Sequence, residues 1–434
     1  MSCVALDESL PPGTLADVSG YGEFASKVWQ HAQGERLPIQ GAIEVSRRCS
    51  LNCQHCYNNL PMGDSAARAR EMSTDDYRRL LDQLVEAGCL WLLFTGGEVF
   101  ARRDFLEIYT HAKRRGLIVS IFTNGTLITE RIADHLAEYR PFAVEITLYG
   151  ATAATYERLT QVPGSFERCM KGIELIHQRG LPLSLKSVAT NINEHELQAM
   201  EALAKKYTLR AFKFDGMING RVDEQEGPAE TRLDASQLAK MDAEDPRRVE
   251  AWRDLMNRPQ STQSDSAEQA ARREHLYHCG AGINSFAIDP YGQMSLCVLS
   301  ESHKYDVRRG SFAEGWSQFL KAERAKKRVR ATKCQQCGLR SLCSSCPAVA
   351  ELEGLAADEP VDFFCRVAHL RAYSMDIHVP EHGDCEYCAG GKSYQALRQQ
   401  ATQAVVDGAR VPAPPEEEAK DWVQERTDRS SSGP

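Results

Sequence analysis

The sequence predicts an α/β protein: a parallel sheet with helices packed outside it, followed by a small cysteine-rich region. Between residues 38 and 219, apolar strand-like runs alternate with amphipathic helix-like stretches through about six strands, the pattern that demands parallel strands joined by helical crossovers. Gly88, Gly116 and Gly180 fall where three of those helices must stop. The fifteen cysteines are clustered, with three in residues 49–56 and seven in 279–365, and clusters at short spacing read as metal ligands. The alternation is compatible with a doubly wound sheet or one curled toward a barrel. In either, ligands sit at the C-terminal ends of the strands.

Taken in order, residues 1–37 form an N-terminal cap in which Tyr21 to Gln33 reads as one helix. Ala42 to Val45 is a short buried strand. Ser73 or Thr74 caps a helix with Tyr77, Leu80, Leu81, Leu84 and Val85 at 3–4 spacing. Leu90 to Phe94 is continuously apolar, as a strand covered on both faces must be. Helix and strand then alternate: Phe105–Arg115, Leu117–Phe122, Glu130–Tyr139, Phe142–Leu148, Phe166–Arg179, Leu183–Val188, Glu194–Tyr207 and Arg210–Phe214. Residues 220–278 change character and form a helical, polar linker region, with a low-complexity run at Pro259 to Ser266. Residues 279–388 carry the second cysteine set. Residues 389–434 read as a polar, disordered tail, including Pro412 to Glu418 and Ser430 to Pro434.

The chain has 434 residues, 42% hydrophobic and 26% charged, with net charge −8. That balance fits a globular protein and offers no basic excess for nucleic acid or an anionic membrane. No apolar run approaches the roughly 18 residues that span a bilayer. Met1 to Pro12 lacks the basic start and apolar core of a secretory signal. The expectation is a cytoplasmic protein without nucleic-acid or membrane partners.

Cys49-x3-Cys53-x2-Cys56-Tyr57 directly follows the first strand. Three thiolates supply one ligand fewer than a four-iron cluster needs, so one iron stays open. A structural zinc site wants four ligands, with His55 available as a fourth. Thr95-Gly-Gly-Glu98 follows the second strand, where paired glycines admit a close backbone approach. These stretches resemble the signature of the radical S-adenosylmethionine (SAM) enzymes. The resemblance implies a partial (β/α)6 TIM-like barrel over residues 38–219. It implies a four-iron, four-sulfur cluster on Cys49, Cys53 and Cys56, with SAM on the open iron. One electron then cleaves SAM to a 5′-deoxyadenosyl radical that abstracts hydrogen from a substrate. By the same resemblance, Gly96, Gly97 and Glu98 take the SAM amino group, although Val99 stands where many members carry Pro. Tyr57, Asn124, Thr147 and Lys186 complete the expected cofactor contacts, with Lys186 suited to the SAM carboxylate. Glu145, Tyr149, Ser187, Asn191, Lys213 and Asp215 lie at or after the same strand ends.

The second set, Cys279-x12-Gly292-x4-Cys297 followed by Cys334-x2-Cys337-x5-Cys343-x2-Cys346 and Cys365, resembles the SPASM domain, which holds two auxiliary iron–sulfur clusters. Carried over by position, Cys334, Cys337, Cys343 and Cys365 hold an outer cluster. Cys279, Cys297 and Cys346 hold an inner one with an open iron or a non-cysteine ligand. The family usually has three residues before its last central cysteine; Ser344-Ser345 leaves two here. Asp289 to Gly292 reads as a hairpin turn. Cys385-Glu-Tyr-Cys388, with His382 nearby, is a leftover pair that binds a metal, caps a cluster or is inert. Cys89 and Cys169 read as buried small hydrophobes. The basic run Lys321 to Lys333 reads as a solvated helix face or a dock for an acidic peptide.

The resemblance describes the radical initiator far better than the substrate. The leading expectation is a radical SAM oxidoreductase or maturase that crosslinks or oxidises a ribosomally made peptide or protein. The alternative is a small-molecule enzyme acting on a tetrapyrrole side chain or a sugar. A non-catalytic iron–sulfur or zinc protein is the remote third. Val298 replaces the Asp that sulfatase-maturing members carry after the matching cysteine. About 40 residues precede the first strand, too few for a winged-helix leader-binding module. A peptide substrate then requires direct recognition or a separate leader-binding partner. The resemblance also implies an electron donor such as a flavodoxin or ferredoxin.

Overall fold

The computed structural model describes residues 18–223, 227–257, 274–379 and 384–408. Six parallel strands follow one another across a single sheet: β1 (Gln40–Glu44), β2 (Trp91–Thr95), β3 (Ile118–Thr123), β4 (Ala143–Thr147), β5 (Leu183–Val188) and β6 (Lys213–Asp215). Three short strands extend its other edge: β7 (Ser285–Ile288), β8 (Gln293–Ser295) and β9 (Tyr305–Asp306), giving the order β9-β8-β7-β1-β2-β3-β4-β5-β6. The two edges do not pair, so the wall is a partial barrel, as the resemblance implied.

Helices cover one side of that wall. Thr74–Glu86 opens with a reciprocal Ser73–Asp76 capping box and buries Tyr77, Leu80, Leu81 and Leu84. Each large apolar side chain so buried contributes roughly 1.5–3 kcal/mol. Gly88 beyond it has φ +90°, the left-handed conformation glycine adopts without strain. Helix Ser165–Gln178 lies so close to the loop after β3 that a Cβ on Gly172 would fall 2.1 Å from the Gly125 carbonyl oxygen.

Along β3 and β4 the burial alternates. Val119, Ile121, Val144 and Ile146 are fully buried, while Ser120, Phe122, Glu145 and Thr147 are half-buried. The second set faces away from the helices, so polar groups collect on the open side of the wall.

The expected boundary region does not interrupt the sheet. β7 pairs in parallel with β1, Gln40 opposite Ser285, and β8 returns antiparallel to it. The connecting turn is the expected one: Asp289 accepts from the backbone amides of Tyr291 and Gln293 at 2.9 and 3.0 Å, and Gly292 has φ +77°. Residues 220–278 contain the helices Ala235–Glu244 and Pro246–Asn257.

One expectation needs correction. Residues 394–408, placed above in a disordered tail, form the helix Tyr394–Gly408, packed against Ala235–Glu244 and Asp362–Ser374. Its buried contacts, Leu397 and Ala401, lie one turn apart, too short an apolar stripe to stand out in a polar sequence. Helix Ala153–Thr160 after β4 was also not anticipated. Cys3, His382, Pro259 to Ser266, Pro412 to Glu418 and Ser430 to Pro434 lie outside the described residues. Among the described residues no helix is long and apolar enough to cross a membrane.

Candidate metal and cofactor site

Cys49, Cys53 and Cys56 lie on the loop leaving the C-terminal end of β1. The loop after β2 rests directly on it: the amides of Gly97 and Glu98 donate to the carbonyls of Ser46 and Arg48 at 2.7 and 3.0 Å. A Cβ on Gly96, whose φ is +131°, would stand 2.2 Å from the Ser46 carbonyl oxygen, and one on Gly97 would stand 2.5 Å from that of Arg47. Only glycines let the two backbones approach this closely.

Glu98 is buried. Its carboxylate accepts from Thr123 Oγ1 at 2.7 Å, the Asn124 amide at 2.8 Å and the Phe100 amide at 3.1 Å. Burial raises its pKa and these donors oppose the rise. Since Thr123 and Asn124 end β3, Glu98 braces the loops after β2 and β3. Asn124 is engaged as fully. Its side-chain amide donates to Cys49 Sγ at 3.4 Å and Ser50 Oγ at 3.1 Å, and its carbonyl accepts from Thr126. The side chain the sequence assigned to a cofactor contact is directed here at the cysteine loop. Tyr57 donates its hydroxyl to Glu44 at 2.9 Å, beside Asn58 at 2.6 Å, and Glu44 is itself buried next to Arg47.

Thr147 and Lys186 stand opposite each other on β4 and β5. The Lys186 ammonium is 3.1 Å from Glu145 and lies over the Phe122 ring. Burial lowers its pKa to about 8 while Glu145 pulls upward. Lys213 is the register partner of Lys186 on β6, so the open side of the wall presents a cation–carboxylate pair beside a second lysine.

Burial raises all three loop thiols, Cys49 to about 12, and repulsion from neighbouring cysteines adds to the rise at Cys49 and Cys53. Buried thiols of this kind are inert unless a metal compensates the thiolate charge. Among the described residues, the sole trio of metal-ligand side chains with all its ligand atoms within 4.8 Å lies elsewhere. The three sulfurs, with or without His55, do not all lie within 4.8 Å of one another. A cluster, which carries an iron at each thiolate, accommodates the wider spacing. The Leu51 amide and the Asn124 side-chain amide both donate to Cys49 Sγ at 3.4 Å, the kind of contact that tunes the potential of a cluster. His55 packs against the Tyr149 ring at 5.0 Å.

Four supporting residues escaped the sequence reading. Arg48 pairs bidentately with Glu71, both contacts at 3.0 Å and both side chains buried, and Ser46 Oγ donates to the same carboxylate at 2.6 Å. Arg221, 165 residues beyond Cys56, donates to its carbonyl at 3.1 Å and to Asn59 Oδ1 at 2.7 Å. Arg48 lies inside the motif and was there to be noticed. Arg221 carries no local signal.

The later cysteines gather in two groups. Cys297 lies within electrostatic reach of Cys279 and Cys346, and Cys346 of Cys279. Cys365 senses Cys334, Cys337 and Cys343. The cysteines that the resemblance sorts together are thus neighbours in space. Cys89 and Cys169 are buried in the main core. The basic run is largely paired internally, Lys326 with Glu323, Lys327 with Glu274 and Arg330 with Glu359.

Comparison with known proteins follows the same division. Residues 43–205 match the model of the Radical SAM superfamily. The chain is 26% identical over 324 residues to the AdoMet-dependent heme synthase of Methanosarcina barkeri, covering 71% of this chain and 91% of that protein. It is 28% identical over 161 residues to the PqqA peptide cyclase of Bradyrhizobium diazoefficiens, covering 37% of this chain and 42% of the cyclase. Its fold matches that of Streptococcus suis SuiB bound to S-adenosylmethionine, with TM-score 0.56, 15% identity and 83% of each chain covered. The match to SuiB bound to its precursor peptide SuiA has TM-score 0.55 at 15% identity, over 83% of this chain and 84% of that one. The glycine-supported cysteine loop and the open parallel wall lie within residues 43–205, the stretch that matches the Radical SAM superfamily, and a cysteine-rich extension follows the partial barrel.

Proposed function

We propose that the chain modifies a ribosomally made peptide or protein by radical chemistry, crosslinking or oxidising its side chains. When bound at Cys49, Cys53 and Cys56, the four-iron cluster supplies the electron that cleaves SAM to a hydrogen-abstracting 5′-deoxyadenosyl radical. The chain's own residues do the positioning. Gly96 and Gly97 let a backbone edge approach the cysteine loop, Asn124 donates to Cys49 Sγ, and Glu98 holds the two loops in register. Lys186 offers a cation for the SAM carboxylate from the open side of the wall, near Thr147. Tyr57 fixes the end of the cysteine loop on Glu44.

In this reading the chain divides into a cap over residues 1–37, the barrel core over 38–219, a helical linker over 220–278 and the SPASM domain over 279–388. Cys334, Cys337, Cys343 and Cys365 hold one auxiliary cluster and Cys279, Cys297 and Cys346 another. Clusters held by these residues would supply an acceptor for the second electron of an oxidation or a ligand site for the substrate. The protein works in the cytoplasm with a flavodoxin- or ferredoxin-like donor, and a peptide substrate is met directly or through a separate leader-binding partner.

The observation that supports the peptide reading is the fold shared with SuiB bound to SuiA over 83% of this chain. One observation favours a second reading: the M. barkeri heme synthase aligns over 91% of its own length, which points to a tetrapyrrole side chain. The deciding experiment uses anaerobically reconstituted enzyme, reductant and SAM. Release of 5′-deoxyadenosine, abolished by replacing Cys49, Cys53 and Cys56 with Ala while auxiliary iron remains, supports the initiator. Retained cleavage in that variant overturns it. Offered candidate peptides and an iron tetrapyrrole bearing propionates, the enzyme is expected to remove hydrogen from a peptide. Decarboxylation of the propionates with every peptide unchanged selects the second reading.

A further inference from the structure

We propose that His369, Cys385 and Cys388 form a zinc site of their own, adjoining the Cys334, Cys337, Cys343 and Cys365 set and independent of the radical chemistry. Cys385 lies within electrostatic reach of Cys337. All three side chains are buried, and their ligand atoms lie within 4.8 Å of one another. His369 Nε2 stands 3.6 Å from Cys385 Sγ and 3.5 Å from Cys388 Sγ. Tetrahedral zinc, with Zn–S near 2.3 Å and Zn–N near 2.0–2.1 Å, puts nitrogen and sulfur about 3.5 Å apart. The observed edges match that figure.

The histidine is prepared for a metal. Its Nδ1 lies 2.8 Å from the carbonyl oxygen of Cys365, one turn earlier on helix Asp362–Ser374. A carbonyl only accepts, so Nδ1 carries the hydrogen and the Nε2 lone pair faces the two sulfurs. Metal-bound histidines are oriented by this kind of outer hydrogen bond. A single ion would lie within bonding reach of all three groups.

The two cysteines are presented by a built turn. The Cys388 amide donates to the Cys385 carbonyl at 3.2 Å, and the Gly391 amide to the Cys388 carbonyl at 2.9 Å. Gly390 has φ +82°, and a Cβ on Gly391 would fall 2.4 Å from the Glu386 carbonyl oxygen and 2.6 Å from that of Cys385. Tyr387, between the cysteines, donates to Asp362 at 2.7 Å and accepts at its carbonyl from Tyr373 at 2.7 Å. The turn is thereby seated on the helix that carries both Cys365 and His369. Two sulfurs and an imidazole at single-ion spacing favour zinc. Bound there, zinc would pin residues 384–408 to the helix that carries Cys365.

The test uses the full-length protein, purified anaerobically from cells supplied with zinc and analysed for zinc and iron by plasma mass spectrometry. About one zinc per chain is expected beside the iron, and His369→Ala and the pair Cys385→Ser with Cys388→Ser should each lose it. Zinc-edge X-ray absorption of the unaltered protein should find two sulfurs near 2.3 Å and a nitrogen near 2.0–2.1 Å, a readout that does not depend on how well the variants fold. Absence of zinc, zinc retained in the variants, a first shell without sulfur, or loss of iron in place of zinc would each overturn the proposal.

Discussion

The side-chain amide of Asn124 donates to Cys49 Sγ at 3.4 Å, joining the end of β3 to the cysteine loop across 75 residues of chain. Hydrogen bonds to ligand sulfurs raise a cluster's reduction potential because they favour the more negative, reduced state. A hydrogen bond to a charged group is worth roughly 1.5–3 kcal/mol. A difference of about 1.4 kcal/mol between redox states corresponds to about 60 mV for one electron. Asn124→Ala should therefore keep its iron but shift the midpoint negative by about 60 mV and slow 5′-deoxyadenosine release. An EPR-monitored redox titration reads the shift, and an unchanged midpoint contradicts the assigned role.

Gly96→Ala places a Cβ 2.2 Å from the Ser46 carbonyl oxygen at a φ of +131°. Backbone, not a flexible side chain, must give way, at a cost on the order of 1–3 kcal/mol. The expected outcome is a folded protein that loses the iron held by Cys49, Cys53 and Cys56, together with SAM cleavage. Iron analysis and product assay check it. Wild-type values for both would show that the two loops need not touch.

Lys186 titrates near pH 8 in the folded chain because it is buried, against about 10.4 for an exposed lysine. The folded state then binds fewer protons than the unfolded state between those values. Wild type should gain stability relative to Lys186→Met as pH rises from about 8 toward 10, with the cost of the buried charge fully present below 8. If the ammonium also holds the SAM carboxylate, the KM for SAM should rise above pH 8 in wild type and stay flat in Lys186→Met. Melting curves and SAM titrations across that range decide both points.

Asp242 is fully buried between Arg371, at 2.6 Å, and Arg248. It ties helix Ala235–Glu244 to helix Asp362–Ser374. Asp242→Ala leaves two guanidinium groups uncompensated, one of them buried, which costs roughly 3–5 kcal/mol. A clear fall in Tm is expected, with iron lost from the C-terminal cysteines before the barrel. A melting curve that overlays wild type would refute the pairing.

Much of the barrel is legible in the sequence because its signals are local. Ser73 and Asp76 cap the helix they precede, Gly88, Gly116 and Gly180 stop helices, and the apolar runs of β2 to β5 fall within a residue or two of the expected bounds. Helix Tyr394–Gly408 was missed because its stability comes from two other helices rather than from its own composition.

The sequence by itself determined the family resemblance, the αβ alternation and which cysteines stand close together along the chain, since spacing over a few residues controls how a loop presents its sulfurs. Tertiary structure alone decided what those residues meet. Glu98 and Asn124 turn inward to brace the loops, Lys186 pairs with Glu145, and Arg221 reaches back to Cys56. His369 is brought beside Cys385 and Cys388. Each is a contact between segments distant in sequence, set by strand register and helix packing, which no local pattern encodes.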